Sequence, residues 1–482
     1  MKNKRYIKLQ LCFYMAVVSV FAVSCNDWLY VKPKTEEEAS GHFSTEEGFK
    51  SALAGIYIGL SKAELYGKEL TFGMIGVLGQ EWGGGDAFYN NSDYNYLRDY
   101  NYEKDGPKSR IEKVWSGMYN IITNINTLIQ YTELKKDVLK GDNYAIIRGE
   151  ALALRAFVHF DILRMYAARD FSTGAKISIP YVEHPLPAVF PQLTPEKVME
   201  KILEDTDAAL KLLKADPVYT GKDVNGKDNG YLANRNFHLN YYAVLGLKAR
   251  VCLYAGYTDK ALEAAGEVID AHETKGLFPW VKPNDLTTTY INLRDRTFAS
   301  EHLFAFNISK LIEYIKGSFR EFTKPQTLRI QPSQLFETDD YRKAIFETYG
   351  GAAEVFSKFW QLESQFVPGK GNIRPLRDRM PAIRLAEMYY IAAECLKEKD
   401  IDGALRMLNA VREARGLDGF SNIDKDVLQK EIAKEYYREF AGEGQLYFYH
   451  KRVGTVNIDG VHANAAYVFP MPDVEIDLGR RK

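Results

Sequence analysis

The sequence lacks an excess of charge of either sign. Its 482 residues include 63 Lys and Arg residues against 64 Asp and Glu residues, which gives a formal net charge of −1. Proteins that bind nucleic acid through its phosphate backbone usually have a strong basic excess, so we expect no nucleic-acid partner. Hydrophobic residues make up 46% of the chain and charged residues 26%, as is typical of a folded globular domain.

Cysteine is scarce, and only Cys252 and Cys395 lie outside the N-terminal region. Both occur in apolar patterns with helical spacing, which favours two half-buried free thiols. A disulfide between them is the alternative in an oxidising compartment. Two cysteines do not make a metal framework by themselves, and the 8 histidines are dispersed. We therefore expect no metal ion and no other cofactor.

The motifs of common enzymes are absent as well. The chain contains no P-loop, no dinucleotide-binding glycine fingerprint, no HExxH and no GxSxG. Residues 223–228 faintly resemble a calcium loop. Lys227 occupies a position that requires an oxygen ligand, however, so we interpret the segment as a polar turn. These absences favour a binding protein over an enzyme.

Long hydrophobic runs are missing, and the one short run, Leu11–Val23, follows a basic N-terminal stretch. Its 13 residues would extend about 20 Å as a helix, whereas the hydrocarbon core of a bilayer is about 30 Å thick. The pattern therefore predicts a secretory signal peptide over residues 1–24.

The predicted signal peptide ends in small residues directly before Cys25. This pattern resembles a bacterial lipobox, in which the cysteine is diacylated and becomes the mature N-terminus. Several acyl chains anchor a protein stably, at about 0.8 kcal/mol per buried methylene group. We therefore predict lipidation at Cys25 and attachment to a membrane through this anchor. An ordinary signal peptide with a coincidental cysteine is the alternative.

Apolar residues recur with the spacing of amphipathic helices through much of the remaining chain. Such faces lie near residues 49–60, 115–129, 144–158 and 195–212, and Thr194 with Pro195 marks the start of the last one. Helix pairs at about 239–272 and 382–415 resemble tetratricopeptide repeats in their small-residue packing. Between these pairs, proline-rich residues predict long loops and short strands.

Aromatic residues are abundant, and 7 of them fall within residues 82–102, among glycines and asparagines that predict a loop. Aromatic faces beside Asn and Asp side chains suit sugar rings, so we interpret this segment as the candidate ligand site. The alternative is that the loop folds back and its rings cover the helical core. The candidate ligand contacts are Trp82, Asp86, Tyr89, Tyr94 and Tyr96. We expect Trp280 and Trp360 to be core or interface anchors.

Short motifs follow one another in a fixed order along the mature chain. They are Asp27-Trp28-Leu29 to Pro33, Phe43–Phe49, Trp115–Asn126, Gly149–Tyr166, Arg384–Tyr389, Leu408–Arg412, Glu435–Arg452 and Tyr467–Glu475. Together they resemble the motifs of the SusD/RagB family of Bacteroidetes outer-membrane lipoproteins. The chain departs from the commonest family pattern at Leu446, where an arginine is usual, and at Tyr449, where an aspartate is usual.

The resemblance implies a mostly α-helical fold with four tetratricopeptide-like helix pairs packed against an irregular, loop-rich region with few short strands. It implies one domain over residues 25–482, with a helical scaffold at about 40–272 and 380–455 and a loop-rich insertion at about 273–380. The motifs themselves fall on scaffold residues, such as Arg438 paired with a neighbouring acid. No ligand-binding residue is therefore carried over from them.

The resemblance also implies a function without catalysis. The protein would be a lipid-anchored protein of the outer membrane, exposed at the cell surface, that captures an oligosaccharide. It would deliver this ligand to a partner SusC-like TonB-dependent transporter. Three alternatives remain open at this point: a peptide-binding member of the same family, a surface glycan hydrolase, and a structural subunit that binds only the transporter.

Overall fold

The computed structural model describes residues 39–83, 88, 90–169, 177–224, 231–320, 326–349, 353–360, 364–373, 376–458, 461–462 and 467–479. The predicted signal peptide, Cys25, Asp86 and Tyr89 lie outside these residues, as does most of the calcium-like segment. Within the described ranges, no helix has both the length and the apolar character needed to cross a membrane.

The chain is mostly helical. In chain order, the helices are α1 (Glu46–Leu60), α2 (Met74–Leu78), α3 (Ser92–Arg98), α4 (Asp105–Leu134), α5 (Asn143–Tyr166), α6 (Pro195–Leu213), α7 (Pro217–Thr220), α8 (Tyr241–Tyr254), α9 (Thr258–Lys275), α10 (Pro283–Thr287), α11 (Leu311–Ile315), α12 (Pro332–Leu335), α13 (Leu385–Leu396), α14 (Ile401–Ala414), α15 (Lys425–Phe440), α16 (Leu446–Val453) and α17 (Asp473–Asp477).

Four helix pairs build the scaffold: α1 with α4, α5 with α6, α8 with α9, and α13 with α14. Successive pairs also pack on one another, through α4 with α5, α6 with α8, and α9 with α13. Small residues permit this close packing. A β-carbon added to Gly149 in α5 would lie 2.8 Å from Leu213 Cγ in α6, which is closer than van der Waals contact allows. The predicted architecture of four tetratricopeptide-like pairs is thus confirmed.

The helix predictions agree with the structure because they rest on local periodicity and capping. In α1, Phe49, Leu53 and Leu60 are fully buried along one face. The α6 helix begins at Pro195, and the Thr194 side chain accepts a hydrogen bond from the backbone N–H of Lys197. Such an N-cap satisfies one of the unpaired N–H groups of the first turn.

The inner face of α6 is less simple than its sequence indicates. Asp205 interrupts the apolar stripe, which predicted a narrow buried face. The structure buries Asp205 and pairs it with Arg155 of α5, whose Nε and Nη2 atoms each lie 2.7 Å from a carboxylate oxygen. This bidentate pair lies between two scaffold helices, so the buried face extends across Asp205.

The strands are short and form two-stranded antiparallel sheets. They are β1 (His302–Asn307), β2 (Phe346–Tyr349), β3 (Ala353–Phe356), β4 (Gln365–Val367), β5 (Gly371–Ile373), β6 (Arg379–Arg384), β7 (Asn457–Ile458) and β8 (Val461–His462). Strands β1 and β6 pair across a long separation in sequence, with Ala305 opposite Pro381. Short helices and 3-10 turns connect the strands, as the irregular sequence of this region predicts.

Both remaining cysteines are buried and free. Burial raises the pKa of the Cys252 thiol to about 11 and that of the Cys395 thiol to about 12. Because the thiolate is the reactive form, both residues behave as small core residues. The favoured interpretation of two free thiols agrees with the structure.

A buried ion network joins the C-terminal helices to the loop-rich region. The Glu439 carboxylate, which has no exposed surface, receives hydrogen bonds from Arg342, Arg384 and Arg415 at 2.6–3.2 Å. Although burial alone would raise it, these three guanidinium groups hold the pKa of Glu439 well below its usual range. Asp340, Glu301, Glu435 and Glu443 balance the remaining charge of the arginines. We call this set the Glu439 network.

We expect the substitution Glu439→Gln to lower the free energy of unfolding by about 3–5 kcal/mol, because it removes the carboxylate that three buried guanidinium groups share. Chemical denaturation monitored by circular dichroism measures the change. Glu398→Gln is the matched control, since Glu398 pairs with Lys425 at the surface, where both side chains are more than half exposed. We expect that variant to unfold like the wild type. Equal stability of the two variants would contradict a structural role for the network.

Candidate functional site

Trp82, the first candidate ligand contact, lies in the core. Only 3% of its surface is exposed, and its indole N–H donates a hydrogen bond of 2.8 Å to the carbonyl oxygen of Phe72. The rings of Phe319 and Phe356 lie at centroid distances of 5.0 and 5.4 Å from it. No face of the indole is therefore open to a ligand in this conformation. For Trp82 the structure favours the alternative interpretation, in which the ring covers the core.

The segment that follows is not a continuous loop, which corrects the sequence-based expectation. Residues Ser92–Arg98 form α3, and the Asn91 side chain accepts hydrogen bonds from the backbone N–H groups of Asp93 and Tyr94. The asparagine that indicated a loop is thus an N-cap. Tyr94 is 2% exposed and packs against Phe88, whereas Tyr96 is 37% exposed. Among the described candidates, Tyr96 alone presents its ring to solvent.

Tyr94 organises a cluster of charged side chains. Its hydroxyl donates a hydrogen bond of 2.8 Å to Glu69. The Arg110 guanidinium lies 4.5 Å from the centre of the Tyr94 ring and donates to the same Glu69 oxygen at 2.8 Å. A second Arg110 nitrogen lies 3.4 Å from Asp93. Burial and the Glu69 carboxylate raise the pKa of the Tyr94 hydroxyl well above its ordinary value. The tyrosine is therefore a neutral hydrogen-bond donor that fixes Glu69.

A cleft of about 350 Å³ opens beside this cluster, between α3, the first turns of α4 and the turn that follows α1. We call it the α3 cleft. Its volume lies at the lower end of the range typical of ligand pockets. Gly106 allows Asp93 to approach α4 closely, because a β-carbon at this position would overlap the Asp93 side chain. The other lining residues are Ala63, Glu64, Lys68, Glu69, Asp93, Ser109, Arg110 and Lys113.

The α3 cleft carries charges of both signs on neighbouring walls. Glu69 and Asp93 are paired with Arg110, whereas Glu64 and Lys113 are exposed at the rim. Tyr96 lies one helical turn from Asp93 on α3, so both residues point to the same side of that helix. Its ring lies 5.5 Å below the Lys104 ammonium group. This arrangement offers hydrogen-bonding groups inside the cleft and an aromatic face near it.

A second cleft, of about 360 Å³, lies between α4, α5 and residues 183–186. Ile129, Pro185 and Leu186 contribute apolar surface, and Leu186 is 64% exposed. The sequence does not predict this cleft, because its walls come from three segments without a shared local pattern. Its polar wall includes Arg155, which is already engaged by Asp205.

Among the described residues, no group of three or more His, Cys, Asp or Glu side chains lies close enough to hold a metal ion.

The two other tryptophans named as candidate anchors are also placed by the structure. Trp280 and Trp360 are both partly buried and pack against the core.

The chain matches two family models. The SusD/RagB model, described as the SusD family, matches residues 356–478. A SusD-like model, described as starch-binding and associating with the outer membrane, matches residues 27–223. Together the two matches cover more than half of the chain.

Individual proteins show the same likeness. The SusD-like protein P38 from Formosa agariphila is 23% identical over 502 aligned residues, which cover 92% of this chain and 90% of that protein. A SusD superfamily structure from Bacteroides thetaiotaomicron has a TM-score of 0.69 at 19% identity and covers 91% of this chain and 97% of its own. The surface glycan-binding protein A from Bacteroides fluxus has a TM-score of 0.65 at 19% identity, with coverage of 90% and 96%. At these identities the solved structures show a shared fold.

The two aromatic residues Trp82 and Tyr96 should differ sharply on truncation. We expect Trp82→Ala to lower the free energy of unfolding by about 3–5 kcal/mol, because it opens a cavity among packed aromatic rings. We expect Tyr96→Ala to change it by no more than about 0.5 kcal/mol, since its ring is partly exposed. Urea denaturation of the two variants provides the measurement. Unchanged stability of Trp82→Ala would rule out its role as a core residue.

Proposed function

Because the chain belongs to the SusD/RagB family, we propose that it captures an oligosaccharide at the cell surface and delivers it to a partner SusC-like TonB-dependent transporter. One of the two matched families is described as starch-binding and associating with the outer membrane, which supports binding of a nutrient at that membrane. The name of the Bacteroides fluxus relative, a surface glycan-binding protein, supports a glycan as the ligand class. The lipobox-like sequence before Cys25 supports a lipid anchor in the outer membrane.

The observation that carries this proposal is the α3 cleft with the partly exposed ring of Tyr96 near it. Sugars are bound by aromatic faces, on which their C–H groups stack, and by charged or amide groups that bond their hydroxyls. Tyr96 offers the first, and Glu69, Asp93 and Arg110 offer the second. Asp86 and Tyr89, the candidates outside the described residues, precede α3 in the sequence. Together with Tyr96 they remain proposed ligand contacts.

The pairing of the cleft carboxylates favours capture over hydrolysis. A glycosidase needs one carboxyl group that gives up a proton and a second that acts as base or nucleophile. Both Glu69 and Asp93 are paired with Arg110, and Glu69 also accepts a hydrogen bond from the Tyr94 hydroxyl. The binding groups of the cleft are thus held in fixed orientations, as recognition of a ligand without chemical change requires. We therefore propose a protein that is not an enzyme.

A peptide ligand is the second candidate, and the charges at the rim of the cleft favour it. Glu64 and Lys113 are exposed there and carry opposite charges. Such groups match the charged termini and side chains of a peptide better than the neutral hydroxyls of a sugar. A direct comparison of the two ligand classes therefore belongs in the binding experiment.

Removal of the proposed lipid anchor should release the protein from the membrane. We expect the full-length Cys25→Ala variant to appear in the soluble fraction after cell lysis, because it lacks the acyl chains that bind the bilayer. Fractionation followed by immunoblotting measures this distribution, and the wild type is the control. A variant that still sediments with the outer membrane would contradict anchoring through Cys25.

Ligand capture can be tested with arrays of oligosaccharides and peptides, followed by calorimetry with the ligand that binds. We expect Tyr96→Ala to weaken binding by about 1–3 kcal/mol, the usual value of stacking on an aromatic ring. Tyr257→Ala is the matched control, because Tyr257 is 39% exposed and precedes α9. Equal affinity of both variants would exclude Tyr96 from the site. No binding to either array would overturn the proposal of capture and favour a subunit that binds only the transporter.

A further inference from the structure

A small pocket in the loop-rich region has an unusual concentration of positive charge. It is formed by residues that follow a 3-10 turn at Ile291–Leu293, by the segment after β3 and by the start of β6. The lining residues are Asn292, Arg294, Arg296, Thr297, Lys358, Trp360, Leu376 and Arg379. We call it the Arg379 pocket. Four of its eight lining residues are cations, and none is an acid.

The carboxylates near the pocket do not balance these cations. Glu347 serves two arginines at once, with Arg294 at 3.0 Å and Arg296 at 2.6 Å. The Asp295 carboxylate is turned to the backbone N–H of Ala299, which donates to both of its oxygens. Lys358 is occupied in the Glu439 network, where it pairs with Glu443. The pocket therefore keeps an excess of positive charge.

Arg379 is the cation with the fewest partners. Across the described residues it has no carboxylate within ion-pair distance, and its buried Nε atom has no hydrogen-bond acceptor. Its guanidinium group lies 4.7 Å from the centre of the Phe237 ring, and its Nη1 atom lies 3.0 Å from the Asn236 side-chain amide, whose oxygen accepts a hydrogen bond when it faces the guanidinium. Burial also lowers the pKa of this guanidinium, although the charge of Asp295 opposes the shift. An unpaired buried N–H group costs free energy that an incoming acceptor would recover.

Arg294 and Arg296 also have N–H groups that meet no acceptor among the described residues. Arg294 donates a hydrogen bond from Nε to the Thr288 carbonyl oxygen and one from Nη1 to the Glu347 carboxylate. Arg296 donates a hydrogen bond from Nε to the Ser357 hydroxyl and one from Nη2 to the Glu347 carboxylate. Among the described residues, one terminal nitrogen of each guanidinium has no acceptor. Planar guanidinium groups with free N–H pairs are well suited to the oxygens of a carboxylate or a sulfate.

The dimensions of the pocket limit what enters it. Its volume is about 10 Å³, which is roughly the space of one water molecule or one anionic oxygen. A sugar ring therefore stays outside, and one oxygen of a charged substituent at the mouth reaches the arginines. The mouth includes Leu376, which is 45% exposed, and the partly buried ring of Trp360. These side chains offer apolar surface against which the rest of a ligand can lie.

We propose that the Arg379 pocket binds the uronate carboxylate of an acidic saccharide through Arg294, Arg296 and Arg379. This inference deepens the proposed function and rests on it for the saccharide. The inference of an oxyanion site itself depends only on the unpaired N–H groups and on the excess of positive charge. A free inorganic anion has the same chemistry, so the experiment separates the two sources.

The test uses the mature full chain and calorimetry at constant ionic strength, with trigalacturonate, a neutral galactose trisaccharide and sodium sulfate as probes. We expect trigalacturonate to bind at least about 10-fold more tightly than the neutral trisaccharide, as hydrogen bonds to a charged group are worth more than neutral ones. We expect Arg379→Gln to remove this preference. Arg377→Gln, which removes the same charge from an exposed neighbour, should retain it.

The remaining outcomes are decisive as well. If Arg379→Gln keeps the full preference for the acidic trisaccharide while its unfolding curve matches that of the wild type, the inference is wrong. If sulfate binds in an Arg379-dependent way and trigalacturonate does not, the pocket serves an inorganic anion and the saccharide assignment is overturned. If neither trisaccharide binds, the acidic-saccharide assignment fails, whereas the array experiment still decides the oligosaccharide proposal and the sulfate titration decides whether the anion site exists. An Arg379→Lys variant that restores part of the preference would support recognition by charge at this position.

Discussion

The burial of the Glu439 carboxylate is the constraint on which the C-terminal half of this protein depends. A carboxylate without access to water requires cationic partners with good geometry, or it loses several kcal/mol of solvation. Three arginines supply them, from the 3-10 turn before β2, from the end of β6 and from the residue after α14. These elements are far apart in the sequence, so the network fixes their relative positions. Misplacing any one of them would remove a charged partner from several buried groups at once.

The network extends to the region of the proposed ligand sites. Lys358 joins it through Glu443 and also lines the Arg379 pocket. Glu81 lies near another part of the network, where its carboxyl group accepts a hydrogen bond of 2.6 Å from the backbone N–H of Gly442. Burial raises the pKa of Glu81 to about 8, so this carboxyl group is largely protonated at neutral pH. Trp82 follows Glu81 directly in the chain that leads to α3. The hydrogen bond between Glu81 and Gly442 therefore holds this part of the chain against the end of α15.

The sequence predicts most of the scaffold and less of the sites. Amphipathic spacing and caps such as Thr194 are local signals, and the helices that they predict are present. The same aromatic segment was open to two interpretations, because burial of Trp82 depends on Phe319 and Phe356, more than 200 residues away. Asn91 illustrates a local ambiguity, since an asparagine favours both loops and helix N-caps. The pairing of Arg438 with Glu435 has i,i+3 spacing and was expected, but the other partners in the network come from distant segments.

This division explains why a resemblance at the level of motifs identifies the frame and not the ligand. The motif residues form helix faces and buried ion pairs, whose energetics restrict substitution, whereas loops supported by that frame are free to change their side chains. A rigid frame also lowers the entropic cost of binding, because the recognition groups are already in place. The two proposed sites differ in charge balance as well as in size. Arg110 is neutralised by Glu69 and Asp93 in the α3 cleft, while Arg379 has no carboxylate partner among the described residues. Charge, more than aromatic content, therefore distinguishes what each site on this fold is suited to bind.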